Sequence, residues 1–233
     1  MDAGIFYGVG TGPGDPELLT IKAVRIIEEN DVIAFPAKAP EESTAFRTAA
    51  GAVPGIYKKE LLPLYMPMSR DRKAMERSHI EASGKVGEIL LTGRNVVFLT
   101  LGDPMIYSTF GYLKRLIEDM GFEAQTVSGI PSFCAAAALA GEPLAMGDEP
   151  IHIIPVSSDT KIRADESGTY VYMKTAKRTG IVRDALKDSG ADLFAAVNCG
   201  MEGEMIYKGA DEIPDEAGYF AIVTARKSDE PCA

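Results

Sequence analysis

The run NVVFLTL at residues 95–101 is apolar at nearly every position. A strand with one wet face alternates apolar and polar residues, because successive side chains point to opposite faces of the sheet. A strand that is apolar throughout must be covered on both faces, which is the situation of a parallel sheet wrapped by helices. The chain around this run meets the same demand. GIFYGVG (4–10), DVIAF (31–35) and LLPL (61–64) read as further strands before it, and another lies near 123–127. Between them Leu19, Ala23, Ile26 and Ile27 make one apolar helical face, and helices are expected over 43–50, 71–92 and 106–120. Asp15 as N-cap with Pro16 at the first helical position marks a helix start after the first strand.

A compositional break follows. GEPLAMGDEP (141–150) carries two Gly and two Pro in ten residues, the composition of a linker. Beyond it IHIIPV, TYVYMK, DLFAAVNC, EMIYKG and YFAIVTA read as five short strands, interrupted by a helix over about 178–188. The expectation is two α/β domains, 1–143 with a mostly parallel sheet and 144–233 with a mixed or antiparallel one.

Charge and cysteine content narrow the class. The 34 acidic and 24 basic residues give a net charge of −10, the opposite of the basic field that a nucleic-acid partner selects. Cys134, Cys199 and Cys232 have no metal-ligand spacing, and an odd number makes no disulfide framework, so a reducing cytoplasm is expected. No apolar segment approaches the roughly 20 residues needed to cross a bilayer, and neither a leader nor a membrane partner is expected.

Three segments carry candidate chemistry. The first is VGTGPGDPELL, where an apolar run feeds a glycine cluster. The dinucleotide fingerprint fails, because counting from Gly8 its third glycine falls on Pro13 and counting from Gly10 on Asp15. The phosphate loop fails for want of a lysine before Lys22. Pro13 and Pro16 lack N–H groups, and Asp15 puts negative charge where an anion would sit. The loop suits either close backbone approach to a neutral or cationic ligand, or a tight turn with no ligand at all.

The second segment is GDPMIYST (102–109), placing Asp103 at the carboxyl end of a strand, where open α/β sheets bind ligands. Asp103 is either a ligand-binding group or the N-cap of the helix expected from 106. The third, SGIPSFCAAAALAG (128–141), sets Ser132 after a Gly-Ile-Pro turn and before a helix of small residues.

Taken in order, these motifs resemble those of the tetrapyrrole methylases, and the resemblance extends over nearly the whole chain. It implies two α/β domains with S-adenosyl-L-methionine held in the cleft between them, S-adenosyl-L-homocysteine as product, and a homodimer. It implies cofactor contacts at Pro13, Asp103, Ile106 and Ser132, and on the adenine side at Met173, Met201 and Thr224. TGPGDPELLTIKAVRIIEENDVIAFP, LGDPMIYST and GIPSFCAAAALAGEPL are similar to members acting at C-20 of precorrin-2 or cobalt-precorrin-2 in cobalamin biosynthesis. Members acting at C-11 or C-17 share the cofactor motifs and stay open as the alternative.

Methyl transfer from a sulfonium needs no standard catalytic set. The leaving group is neutral, and alignment of sulfur, methyl and carbon carries the reaction. Asp103 or Tyr107 is expected to assist proton removal. His79 and His152 lie far apart in sequence and are expected in surface or structural roles, and no protein metal site is expected. The implied tetrapyrrole bears eight carboxylates, so basic patches matter. Residues 58–77 hold Lys58, Lys59, Arg70, Arg72, Lys73 and Arg77 against three acidic residues, and Arg70, Arg72, Lys73 and Arg77 are the expected substrate contacts. Lys174, Lys177 and Arg178 form a second candidate patch, and a solvated helix face is the alternative for either.

Overall fold

The structure is a computed structural model of the 233-residue chain, in which residues 3–67 and 71–227 are described. It comprises two compact units, the first running to Pro131 and the second starting at Ser132.

The first unit is a five-stranded parallel sheet of β1 (Phe6–Gly10), β2 (Val32–Phe35), β3 (Glu60–Pro63), β4 (Val96–Thr100) and β5 (Ala124–Val127), in the order β3-β2-β4-β1-β5. The helices are α1 (Ile21–Glu29), α2 (Thr44–Ala52), α3 (Arg72–Leu90) and α4 (Phe110–Asp119). Every residue of β4 is buried, and the alternation of its side chains shows why. Val97 and Leu99 pack with Ala23 and Ile27 of α1 and Phe46 and Ala49 of α2. Val96 and Phe98 pack on the opposite face with Val86 and Leu90 of α3 and Leu113 and Ile117 of α4. Each such side chain, fully buried, contributes roughly 1.5–3 kcal/mol. The two-sided cover expected from NVVFLTL is therefore what the fold provides.

Two helix starts differ from expectation. Asp15 does cap, accepting from Glu17 N at 2.9 Å, but what it caps is a single 3-10 turn over Pro16–Leu18. The α-helix begins at Ile21, where the Thr20 hydroxyl accepts from Ala23 N at 3.1 Å. Likewise α4 begins at Phe110, not at 106. Ser108 Oγ accepts from Phe110 N at 3.1 Å, and Tyr107 has φ +50, which no helix admits.

The second unit contains α5 (Ser132–Ala140), β6 (Ile151–Pro155), β7 (Gly168–Met173), α6 (Thr179–Leu186), β8 (Asp192–Val197), β9 (Met205–Lys208) and β10 (Ala221–Lys227). Its mixed sheet runs β6-β7-β10-β8-β9, with β6 parallel to β7 and the other neighbours antiparallel. Val182 and Leu186 of α6 close a core over Tyr170, Tyr172, Leu193, Ala195, Val223 and Ala225. The division between the units falls ahead of α5, well before 143, because α5 packs against β8 and β9. The glycine- and proline-rich stretch that looked like the linker lies inside the second unit. There Arg226 Nη2 donates to both Glu149 oxygens at 2.9 Å, and Glu149 also accepts from Met146 N at 2.8 Å. These bonds hold the Glu149 carboxyl below its ordinary range.

Gly8 sits in β1 beneath Phe110, and a Cβ there would lie 2.3 Å from the ring. Phe110 is itself fixed between Phe6, at 5.4 Å, and Phe98, at 6.4 Å between centroids. Gly8→Ala should therefore lower stability by about 1–3 kcal/mol in urea unfolding. A second change, Phe110→Leu, should return part of that loss. Equal midpoints for wild type and Gly8→Ala would show that the ring moves aside freely.

Candidate functional site

In the first unit, β1 and β4 are neighbours whose following helices pack on opposite faces, α1 with one core and α4 with the other. The helices that follow them leave on opposite faces, and open sheets of this kind bind ligands outside the carboxyl ends of such strands. The glycine loop and the GDP segment are the loops leaving these two ends.

Their backbones are knitted together at close range. Gly102 N donates to Gly12 O at 2.6 Å in an isolated antiparallel bridge, and both glycines have left-handed φ, +72 and +71. A Cβ on Gly10 would lie 2.5 Å from Gly102 O and 2.7 Å from Gly129 N. One on Gly129 would lie 2.2 Å from Gly102 O. Glycine at 10 and 129 is thus required by contact between three strand ends. The close backbone approach inferred for this loop is first of all an approach of the chain to itself. Thr11 N and its hydroxyl both donate to Thr100 O, at 2.9 and 3.2 Å, and Thr100 Oγ1 lies 2.9 Å from Ser108 Oγ.

Asp103 completes the arrangement. Its Oδ1 accepts from Met105 N at 2.8 Å and its Oδ2 from Gly129 N at 3.0 Å, so one carboxylate ties the loop after β4 to the loop after β5. It does not cap α4. Each oxygen keeps a further lone pair, and the side chain is only half-buried, so the group can still accept from a ligand cation. Tyr107 lies three residues before α4, 44% exposed, in a left-handed conformation that costs about 1–3 kcal/mol for a non-glycine residue. Pro13 is buried, and Ile106 and Ser132 are half-buried, Ser132 as the first residue of α5.

In the second unit, Met173 ends β7 and Met201 sits in the turn after β8, its amide donating to Asn198 O at 2.9 Å. Because β7 and β8 both run antiparallel to β10, they end at the same edge of the sheet, which brings these two methionines to one side. Thr224 lies further along β10, 1% exposed, and its hydroxyl has no hydrogen-bond partner among the described residues. A buried orphan hydroxyl of this kind costs roughly 1–3 kcal/mol unless something satisfies it.

The basic residues separate by role. Arg70 lies outside the described residues. Arg72, Lys73 and Arg77 stand exposed on the first turns of α3, whose start is capped by Asp71 accepting from Lys73 N at 2.9 Å. Lys59 is withdrawn from the patch, since its Nζ donates to Glu28 O and Asn30 O at 2.9 and 2.8 Å. His79 stacks on Tyr112 and His152 on Tyr170, at 5.0 and 4.7 Å. Burial pushes the Cys199 thiol up to about 11, which removes it as a thiolate nucleophile at neutral pH. Among the described residues there is no group of three or more His, Cys, Asp or Glu able to hold a metal, and no helix long and apolar enough to cross a membrane. Sequence reading missed the tie between Asp103 and Gly129. Its signal was the pairing of a lone carboxylate after one strand with a Gly-Ile-Pro turn after the next.

Comparison with known proteins places the chain in a family. The family model for Tetrapyrrole (Corrin/Porphyrin) Methylases matches residues 6–212. A probable cobalt-precorrin-2 C(20)-methyltransferase of Methanocaldococcus jannaschii is 38% identical over 170 residues, covering 72% of this chain and 71% of that protein. A precorrin-2 C(20)-methyltransferase of Sinorhizobium sp is 33% identical over 238 residues, covering 96% and 95%. Among solved structures, a cobalt precorrin-4 methyltransferase superposes with a TM-score of 0.74 at 20% identity, covering 97% of this chain and 96% of that one. A Thermus thermophilus uroporphyrin-III C-methyltransferase complexed with S-adenosylhomocysteine gives 0.69 at 21%, covering 96% and 98%.

Replacing Asp103 by Asn leaves one acceptor oxygen for two backbone amides and turns an NH2 toward the other. Asp103→Asn should cost about 1–3 kcal/mol in urea unfolding, because Gly129 N is buried. An unchanged midpoint would mean that the two bonds do not hold the loop.

Proposed function

The chain belongs to the tetrapyrrole (corrin/porphyrin) methylases, and from that premise we propose that it transfers a methyl group from S-adenosyl-L-methionine to C-20 of precorrin-2 or cobalt-precorrin-2. The observation that carries this reading is the combination of Asp103, fixed by two amides with lone pairs to spare, with a glycine loop too poor in N–H groups for phosphate. Relatives of both the cobalt-containing and the metal-free description share the C(20) position in their names, which favours it over C-11 or C-17.

The residues present fit such a donor. In the first unit, Asp103 would accept from its ammonium, and the main chain at Pro13 and Ile106 would hold the rest. In the second, the orphan Thr224 hydroxyl would supply a buried polar contact, and Met173 and Met201 soft apolar surface. Ser132 adds a hydroxyl at the start of α5. When bound, the donor supplies an activated methyl on a sulfonium whose departure leaves a neutral thioether. The chain's own task is to hold methyl and acceptor carbon in line, a proximity effect worth up to about 7–11 kcal/mol. Tyr107 or Asp103 is the group assigned to assist proton removal at the methylated carbon. Arg72, Lys73 and Arg77, with Arg70, are assigned to substrate carboxylates, for which guanidinium forks are suited. The protein acts as a homodimer in the cytoplasm, a reading that rests on the family and on the odd number of cysteines.

Calorimetric titration with S-adenosylhomocysteine, NADH and ATP in parallel tests the cofactor. Binding of S-adenosylhomocysteine alone is expected, weakened at least tenfold in Asp103→Ala with the fold retained. Labelled S-adenosylmethionine with precorrin-2, with and without cobalt, should then give a product methylated at C-20. Binding of NADH or ATP in its place, or methylation at another carbon, would overturn the assignment.

A further inference from the structure

The turn between β7 and α6 carries Lys174, Lys177 and Arg178 on a backbone that departs from ordinary conformations. Four described non-glycine residues have positive φ, and three of them, Lys174 at +58, Ala176 at +43 and Asn198 at +51, lie in the two segments that follow β7 and β8. These segments share one edge of the second sheet, since β7 and β8 run the same way. The strain is locked in place from below. Thr175, 0% exposed, donates its hydroxyl to Ala221 O at 2.8 Å, Arg178 N donates to Thr175 O at 2.7 Å, and Asn198 N donates to Phe220 O at 3.0 Å. Strained backbone so over-determined gathers at sites that bind or react.

Two charges of this turn stand without a counter-ion. Neither Lys177 nor Arg178 forms an ion pair among the described residues. Glu204, at the same edge, turns its carboxylate to Gly200 N at 2.5 Å. Tyr219, just before β10, is 58% exposed and stands at this edge as well, its ring set against Phe220 at 4.8 Å. In a protein of net charge −10, cations without carboxylate partners at the same sheet edge as an exposed aromatic ring suit a flat, polyanionic ligand.

Resting on the methylase reading above, we infer that Lys177 and Arg178 of this turn bind carboxylates of the tetrapyrrole substrate, with the ring of Tyr219 offering a flat apolar surface at the same edge. Arg178 presents a planar fork matched to a carboxylate, and Lys177 a compact charge that follows a flexible side arm. The role is one of substrate specificity, separate from the methyl donor and from the chemical step.

The test compares wild type with Lys177→Gln/Arg178→Gln, and with the charge-keeping Lys177→Arg/Arg178→Lys, by calorimetry with S-adenosylhomocysteine and by steady-state methylation of precorrin-2. The neutral variant should raise the KM for precorrin-2 at least tenfold, with kcat and the S-adenosylhomocysteine Kd within about twofold of wild type. The same substitutions should flatten the salt dependence of uroporphyrin III binding followed by fluorescence quenching. The charge-keeping variant should stay within about threefold of wild type. An unchanged KM in the neutral variant, or a weakened S-adenosylhomocysteine Kd with KM unaffected, would overturn the inference. If wild type itself neither binds S-adenosylhomocysteine nor methylates precorrin-2, the methylase reading falls instead.

Discussion

The first unit depends on three backbones meeting where no side chain fits. Gly10, Gly102 and Gly129 stand at the ends of β1, β4 and β5, and a Cβ on either outer glycine would fall inside 3 Å of the Gly102 carbonyl. That contact fixes how the loops leave the sheet. Once Gly102 N is bonded to Gly12 O, the chain after β4 has to turn away, and Asp103 lies beside the loop after β5. The carboxylate then serves two ends at once. It satisfies Met105 N and the buried Gly129 N, the latter costly to leave unpaired, and it sets a carboxyl group at the strand ends.

The same contact explains why a glycine-rich loop here is no phosphate cradle. A phosphate site uses its glycines to aim free N–H groups at an anion and sets a helix N-terminus behind them. In this chain the glycines serve mutual approach, prolines 13 and 16 remove two donors, and the following α-helix is delayed to Ile21 by a 3-10 turn. What remains at the strand ends is poor in N–H donors and holds the carboxyl group of Asp103. Such a surface favours a cation, and a sulfonium amino acid is one.

Much of this was legible in the sequence, and for identifiable reasons. Burial on both faces leaves a continuous apolar run, so β4 and with it the parallel sheet could be read from NVVFLTL alone. Alternating short strands similarly announced the second sheet. Cap residues were a poorer guide. Asp15 and Asp103 both have the chemistry of N-caps, and both do accept backbone amides, but neither opens an α-helix, since a cap satisfies a turn as readily as a helix. Linker composition misled in the same way. Gly and Pro report local turns, whereas the unit boundary is set by where α5 packs, and α5 packs on β8 and β9. Long-range partners leave no local trace. Lys59 looked like part of a surface patch until two carbonyls some thirty positions away claimed it.

Charge is where sequence totals and local structure part most clearly. A net charge of −10 argues against a polyanionic substrate if the protein is treated as a sphere. Screening shortens the reach of exposed charges to about 8–10 Å at ordinary ionic strength, so a ligand is sensitive to the few groups within that distance and hardly at all to the total. What matters is whether nearby cations are already neutralised. Arg94, Arg163, Arg183 and Lys208 are, each with a carboxylate partner within 3.5 Å. Among the described residues Lys177 and Arg178 are not, and they directly follow two positive-φ residues, Lys174 and Ala176. A total of −10 therefore does not bar a polyanionic ligand, because unpaired cations such as Lys177 and Arg178 act on it over the same short range whatever the charge of the remaining surface.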